Sequence, residues 1–438
     1  MLISVVGTGY LGATHAACLA ACGHEVVGVD TDPDKVARLS SGRAPFVEPG
    51  LDELLGRGVA SGCLTFTTEL AAAAAADVHF LCVGTPQMPG SHAADLRALE
   101  SVVAALAPHL DRPCLVVGKS TVPVGTAPRL AQVLRETAPA GDAVEIAWNP
   151  EFLREGHAVE DSLHPDRLVL GVQSDPADQV LREVYARAIV DGVPVVRTDL
   201  ATAELAKVSA NAMLAARISL VNLLAEVCEA ADADVADLTT ALGLDRRIGP
   251  QFLRPGIGYG GGCLPKDTRA FAARAEELGV GVPAGLLREV DTVNMRQRAR
   301  TIDLAARVLG GSPRGHRVAV LGAAFKAGSD DVRDSPALDV AGTLQARGAD
   351  VHVYDPEAGD NARRARPGLR VEPSVEAACR DADLVLVLTE WEEFAGLDPV
   401  SLAAVVRTPA VLDGRLVLPV DKWRAAGWDV HALGRGGG

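Results

Sequence analysis

Five glycines crowd the stretch Gly256-Ile257-Gly258-Tyr259-Gly260-Gly261-Gly262 directly before Cys263, and Leu264-Pro265-Lys266-Asp267 follows. Positions without side chains let backbone or ligand come close to the thiol. Pro265 suits the first turn of a helix, which places Cys263 near a helix N-terminus. The positive end of a helix lowers a thiol pKa, Lys266 adds to that effect, and the thiolate is the reactive form. Such a residue can attack an electrophilic carbon; a buried cysteine behind a flexible loop is the plainer alternative. Glu204, Lys207 and Asn211 are spaced three and four apart in a stretch free of Gly and Pro, so they share one helix face. Lys207 could stabilise an alkoxide there and Asn211 could donate to an oxyanion, unless the face is simply solvated. Two further stretches follow strand-like segments: Lys119 to Thr126, dense in hydroxyls, and Asn149 to Gly156, which carries two acids. Glu151 and Glu155 could hold water or accept a proton, although loops of mixed polarity are more often structural.

A second motif concerns phosphate. Gly7-Thr8-Gly9-Tyr10-Leu11-Gly12 follows an apolar strand pattern and opens a helical one. Gly7 permits the tight turn, Gly9 lets backbone approach a pyrophosphate, and Gly12 lets the helix pack on the strand. The next strand pattern ends at Asp30, near the offset expected for an acid that binds an adenosine ribose. An acid there repels a 2′-phosphate, so NAD is favoured over NADP; Lys35 and Arg38 nearby weaken the preference.

These residues must be positioned by alternating elements. Ile3–Val6, Glu25–Val29, Val78–Val83, Cys114–Val117 and Ala143–Trp148 read as strands with helical segments between, which predicts a parallel sheet covered on both faces. Asp199 to Ala230 reads as one long helix whose apolar faces could pair with a second subunit. Helical patterns resume at Asp267–Leu278 and Ala284–Leu309. From Arg317 the alternation returns, with strands at Arg317–Leu321, Asp350–Tyr354 and Asp383–Leu388 and a helix at Ser335–Arg347. This second Rossmann-like lobe carries Gly322-Ala323-Ala324-Phe325-Lys326 in place of the glycine fingerprint, so it is not expected to hold a dinucleotide in the same way. The tail Gly434–Gly438 is expected to fray. The class is α/β, with an N-terminal Rossmann domain over residues 1–198, a central helical region over 199–310 and a C-terminal lobe over 311–438.

Bulk properties agree with this plan. A chain of 438 residues supports several cores, and with aromatics at 4 % those cores rest on Ala, Val and Leu. The net charge of −15 argues against nucleic acid as partner. No secretion signal precedes the first strand pattern, and the apolar stretch Leu70–Thr85 is too short and polar to span a membrane. The eight scattered cysteines suit reduced thiols, so a cytoplasmic location is expected. Cys18 and Cys22 lack further ligands nearby, and no metal is expected.

Taken together, Gly7 to Gly12, Glu48-Pro49-Gly50-Leu51, Val83-Gly84-Thr85-Pro86, Lys119 to Thr126, Asn149 to Gly156, Pro165-Asp166-Arg167, Phe252 to Asp267, Ala324-Phe325-Lys326 and Asp330 to Pro336 resemble the UDP-glucose/GDP-mannose dehydrogenase family. The resemblance implies a Rossmann domain, a dimerising helical linker and a sugar-nucleotide domain. It also implies a four-electron oxidation with two NAD molecules, in which Cys263 takes up an aldehyde and passes through a thioester. Lys207 and Asp267 would position water or move protons, Asn211 would support the oxyanion, and Thr121, Glu151 and Glu155 would organise water. The carboxylate that activates the hydrolytic water is not fixed.

For NAD the resemblance adds Tyr10, Leu11, Lys35, Val83, Gly84, Thr85, Thr121, Glu155, Lys266 and Arg333. For substrate it points to Phe152, Leu153, Arg154, Glu155, Lys207, Asn211, Phe252, Leu253, Arg254, Gly256, Gly260, Cys263, Phe325 and Lys326, with Arg254 reaching the partner subunit's site in a homodimer. Departures from the family pattern are Gly262 where many members carry Ser, Leu264 for a frequent Phe, and Arg415-Leu416 without the usual Asn. The Phe252–Tyr259 wording leans towards UDP-glucose; GDP-mannose and N-acetylated UDP-sugars are alternatives. A two-electron β-hydroxyacid dehydrogenase or a non-catalytic nucleotide sensor would not need Cys263 with the full polar set.

Overall fold

The computed structural model describes residues 1–435. The chain forms two compact units, Met1–Ala210 with Ala273–Leu278, and Asn211–Ala272 with Gly279–Gly438. In the first, β1 (Leu2–Val6), β2 (Glu25–Val29), β3 (Leu64–Thr67), β4 (Val78–Leu81), β5 (Cys114–Gly118), β6 (Val144–Trp148), β7 (Leu168–Gly171) and β8 (Val195–Thr198) make one sheet in the order β3-β2-β1-β4-β5-β6-β7-β8. Two apolar clusters cover it, one around Ile3, Val5, Val78 and Phe80, the other around Val6, Leu81, Val116 and Ile146. Successive side chains of each strand therefore enter opposite layers, and both layers are dry, which is why the strands read as continuous apolar segments.

The sheet is not wholly parallel. β6 and β7 meet antiparallel at Trp148 and Gly171. The connection between them carries only the short helix Ala158–Leu163 and turns the chain back instead of carrying it over the sheet. β3, β7 and β8 are also additions to the expected strands. At four residues each, they are too short to show a period of two.

In the second unit, β9 (Arg317–Leu321), β10 (Asp350–Tyr354), β11 (Arg370–Val371), β12 (Leu384–Val387), β13 (Ala410–Asp413) and β14 (Asp429–Ala432) pair in parallel in the order β11-β10-β9-β12-β13-β14. β9 and β10 match the expected bounds. The acid ending β10, Asp355, is consumed by its own turn. Its carboxylate accepts the amides of Ala323 (2.7 Å), Ala324 (2.9 Å), Glu357 (3.0 Å) and Ala358 (2.8 Å), and the Trp391 indole (3.2 Å).

The long helix Leu200–Ala231 has the expected span. By length and composition alone it could cross a membrane. Its Glu204 and Lys207 are nevertheless buried and hydrogen-bonded inside the protein. Met213, Leu220 and Val227 recur every seven residues and are 74 %, 58 % and 62 % exposed, an apolar stripe down one side. Helix Leu264–Glu277 begins three residues before the expected start because Pro265 fits its first turn. Helix Gly281–Val308 completes the central region. The tail departs from expectation at its start: the Gly434 amide donates to Glu229 Oε1 (2.7 Å), its carbonyl accepts from Val235, and Arg435 bridges to Asp234. Gly436–Gly438 lie outside the described residues.

Candidate active site

The turn after β1 is shaped by close approach. A Cβ on Gly12 would lie 1.8 Å from the Gly7 carbonyl oxygen, and one on Gly7, whose φ is +90°, would lie 2.8 Å from Val83. A Cβ on Gly9 would meet no protein atom within 4 Å, so packing is not what calls for glycine there. Gly9 precedes helix Tyr10–Ala21, whose first turn has neither a side-chain cap nor an acidic residue. Its amides are thus left for an anion. Asp30 accepts the Thr8 amide (2.8 Å) and hydroxyl (3.2 Å) and is paired with Lys35 (2.8 Å). Burial opposes its charge, but Lys35 and the amides of Asp32 and Thr8 prevail and hold the carboxyl below its ordinary value. The Tyr10 side chain holds the loop after β6. Its hydroxyl donates to Glu48 and accepts the Gly156 amide, while Glu48 also accepts the amides of Gly156 (2.8 Å) and Ala158 (2.7 Å). Leu11 packs against the core.

Strand ends bring the next group together. Thr85 donates to the Thr121 carbonyl (2.7 Å) and Ser120 to the Val83 carbonyl (2.7 Å), tying the loops after β4 and β5. Gly84 is exposed beside them. After β6, Glu151 accepts the Leu153 amide (2.6 Å) and pairs with buried Lys207 at 2.9 Å. Burial alone would raise the Glu151 pKa; Lys207, the Leu153 amide and Lys119 outweigh it and the value is lowered. The Phe152 ring centre lies 3.7 Å from the Arg167 guanidinium and 5.8 Å from the Lys207 ammonium. Glu155 is half-buried on this loop. Arg154 is paired with Asp161 at 2.6 Å. Glu204, on the same helix as Lys207, is structural: it accepts the amides of Gly125 (2.7 Å) and Ala127 (2.6 Å) at the start of helix Thr126–Thr137.

The second unit holds the cysteine. Cys263 is exposed and immediately precedes helix Leu264–Glu277, its carbonyl accepting the Asp267 amide at 3.0 Å. Asp267 is buried, accepts Asn211 Nδ2 at 2.7 Å and pairs with Lys266 at 2.5 Å. The glycine loop is closely packed. A Cβ on Gly258 would lie 2.5 Å from Asn294, on Gly260 2.3 Å from the Asp334 carbonyl, on Gly261 2.8 Å from Phe325, and on Gly262 2.3 Å from the Arg333 guanidinium. Gly256 donates to Asn222 (2.9 Å). Phe252 is 40 % exposed and held at a φ of +58°, a strained conformation for a bulky residue. Leu253 is buried and Arg254 exposed. Lys326 lies 5.8 Å from the Phe325 ring centre.

Several residues that hold these groups were not singled out from sequence. Half-buried Arg415, noted from sequence only for the residue that follows it, donates to the carbonyls of Gly258 (3.1 Å), Phe325 (3.3 Å) and Leu388 (3.0 Å), joining the cysteine loop to two turns. Asn222 and Asn294 lock its other side. Asn222 is a polar side chain on the largely apolar long helix, the same signal that marked Asn211, whereas Asn294 lies on a helix rich in charged residues where it does not stand out.

Three family models cover the chain. They are the UDP-glucose/GDP-mannose dehydrogenase family's NAD binding domain over residues 1–189, its central domain over 201–296 and its UDP binding domain over 319–420. The chain is 43 % identical to a UDP-glucose 6-dehydrogenase of Rhizobium meliloti, with 99 % of this chain and 100 % of that protein aligned. Among solved structures it superposes on a UDP-glucose dehydrogenase from Pyrobaculum islandicum with a TM-score of 0.90 and 38 % identity, covering 99 % and 96 % of the two chains. It also superposes on a UDP-D-ManNAc dehydrogenase from Pyrococcus horikoshii, with a TM-score of 0.88, 28 % identity and 100 % of both chains covered. With its dinucleotide turn, its exposed cysteine at a helix start and all three domains matched, this chain belongs to the UDP-glucose/GDP-mannose dehydrogenase family.

Proposed function

We propose that the protein oxidises the C6 alcohol of UDP-glucose to the carboxylate, reducing two NAD molecules per sugar, with Cys263 as the covalent carrier. The observation that carries this reading is the exposed Cys263 thiol at the start of a helix whose first turn buries Asp267 against Asn211 and Lys266. The higher identity to the two UDP-glucose enzymes than to the UDP-D-ManNAc enzyme supports the sugar over its N-acetylated alternative.

The residues present fit NAD. Gly9 and the uncapped amides of the following helix suit the pyrophosphate, and Asp30 with Lys35 suits the adenosine ribose. Val83, Gly84, Thr85 and Thr121 line the remainder, with Glu155, Lys266 and Arg333 completing it. When bound, NAD supplies the hydride acceptor.

The protein's own groups handle everything else. As the C6 alcohol loses hydride, the Lys207–Glu151 pair and Asp267 accept or relay its proton, and the Lys207 charge stabilises the forming alkoxide. The Cys263 thiolate adds to the aldehyde carbon, and Asn211 and Lys207 hold the resulting oxyanion. Loss of a second hydride from this thiohemiacetal leaves a thioester. Water, organised by Thr121, Glu151 and Glu155, attacks the thioester and releases carboxylate and thiol. The covalent link keeps a reactive aldehyde from escaping. Phe152, Leu153, Arg154, Phe252, Leu253, Arg254, Gly256, Gly260, Phe325 and Lys326 shape the sugar-nucleotide site. We place a homodimer contact on the stripe of Met213, Leu220 and Val227, with Arg254 reaching the partner subunit's site, and the enzyme in the cytoplasm.

Measuring NADH per sugar tests the reading. Two per UDP-glucose are expected; one would indicate a two-electron dehydrogenase, and none a nucleotide sensor. Turnover across UDP- and GDP-sugars tests the substrate. Cys263→Ser should stall after the first oxidation or at a bound ester, and full steady-state turnover would remove Cys263 from the mechanism.

A further inference from the structure

Lys119 is 7 % exposed at the end of β5. Its ammonium donates to Asn149 Oδ1 at 2.8 Å and to the Tyr185 hydroxyl at 3.2 Å, and lies 5.7 Å from the ring centres of Phe80 and Tyr185. Both hydrogen-bond partners are neutral. Tyr185 also donates to Asn149 Oδ1 at 2.5 Å, so the amide oxygen keeps a partner without the lysine. Nearby titratable groups are the thiol of Cys82, which burial pushes up to about 12, and His15, whose pKa burial and then Lys119 hold well below its ordinary value. Burial pulls the Lys119 pKa down to about 8, with Cys82 and Glu151 opposing the fall and Lys207 adding to it. A buried cation whose hydrogen bonds go to neutral groups costs stability, and an apolar side chain of similar volume is often neutral or better there. Folding does not account for this lysine.

Its position does. Lys119 begins the loop that carries Thr121, and Asn149 begins the loop that carries Glu151; the Lys119–Asn149 bond joins the two strand ends. We propose that Lys119 is a positioning residue for the dehydrogenase reaction: through Asn149 it sets the turn that presents Glu151 to Lys207. The inference rests on the function proposed above, in which the Lys207–Glu151 pair moves the substrate proton.

The test compares full-length Lys119→Met, Lys119→Gln and Lys119→Arg with the native enzyme, reading kcat, KM for NAD, the pH profile of kcat and Tm. Lys119→Met should lower kcat by about 10- to 100-fold with KM for NAD within twofold and Tm unchanged or raised. The acid limb of its kcat profile should move to higher pH, because Lys119 helps hold the Glu151 carboxyl down. Lys119→Gln, which can donate to Asn149 without charge, should recover part of kcat yet keep the displaced limb; Lys119→Arg should return the limb towards its native position. An unmoved acid limb in both neutral variants, or a fall in Tm that tracks the loss of kcat, overturns the proposal. Native enzyme that gives no NADH from UDP-glucose defeats the functional reading instead, whatever these variants do.

Discussion

Asp30 holds the fold locally and, in the function proposed above, also meets the cofactor. It accepts the Thr8 amide inside the dinucleotide turn and also pairs with Lys35. Asp30→Ala removes both, and removes the acceptor proposed for the ribose. Charge-assisted hydrogen bonds are worth about 1.5–3 kcal/mol, so NAD affinity should fall by about 10- to 100-fold. Titration calorimetry checks this, and unchanged affinity would withdraw the ribose assignment. Gly262 makes a subtler case. The Arg333 guanidinium, paired with Asp331 at 2.7 Å, occupies the space a side chain would need. Gly262→Ser should displace that flexible end at little cost in stability and raise the KM for NAD several-fold while leaving the two-NADH yield intact. Kinetics at varied NAD would show it, and an unchanged KM would separate Arg333 from the cofactor. Sequence made the chemistry of these residues legible because glycine, cysteine and lysine at such spacings have few other uses. It did not show what each glycine packs against, since Arg333, Phe325 and Asn294 are far from the loop in sequence.

Elements carry the reacting groups through buried caps. Glu204 lies three residues before Lys207 on the long helix, and spacing alone suggested a shared polar face. The structure divides the two: Lys207 meets Glu151, whereas Glu204 closes the N-terminus of helix Thr126–Thr137. Glu204→Ala would leave two amides without their acceptor, at a cost of about 1–3 kcal/mol for each group left unsatisfied. The Tm should drop by several degrees while the fraction still folded keeps its kcat. A kcat loss at unchanged Tm would instead place Glu204 in the chemistry. Long strands and helices were readable because apolar periodicity persists over many residues. β3, β7, β8, β11, β13 and β14, each four residues or fewer, were not read; neighbours already in the sheet specify them, whereas the equally short β4 and β12 were read because apolar residues continue past their ends. Glu48 was marked by the family resemblance but its role was not legible, because its partners Gly156 and Ala158 lie more than a hundred residues away.

At the scale of the whole molecule, the question is what covers the long helix. Met213, Leu220 and Val227 lie on successive pairs of turns, and each exposes more than half its surface. Isolated exposed apolar residues are ordinary, but a stripe at seven-residue spacing is the pattern by which two helices pack along their length. A charge in that stripe would have to be desolvated in a helix pair, whereas on an isolated chain it would point into water. Val227→Glu should therefore shift the protein from dimer to monomer in sedimentation velocity at micromolar concentration while leaving its circular dichroism unchanged. If Arg254 serves the partner subunit's site, the same variant loses activity at dilution and regains part of it at high concentration. A variant that stays dimeric would move the contact off this helix. One that becomes monomeric yet remains fully active would show that each chain completes its own site.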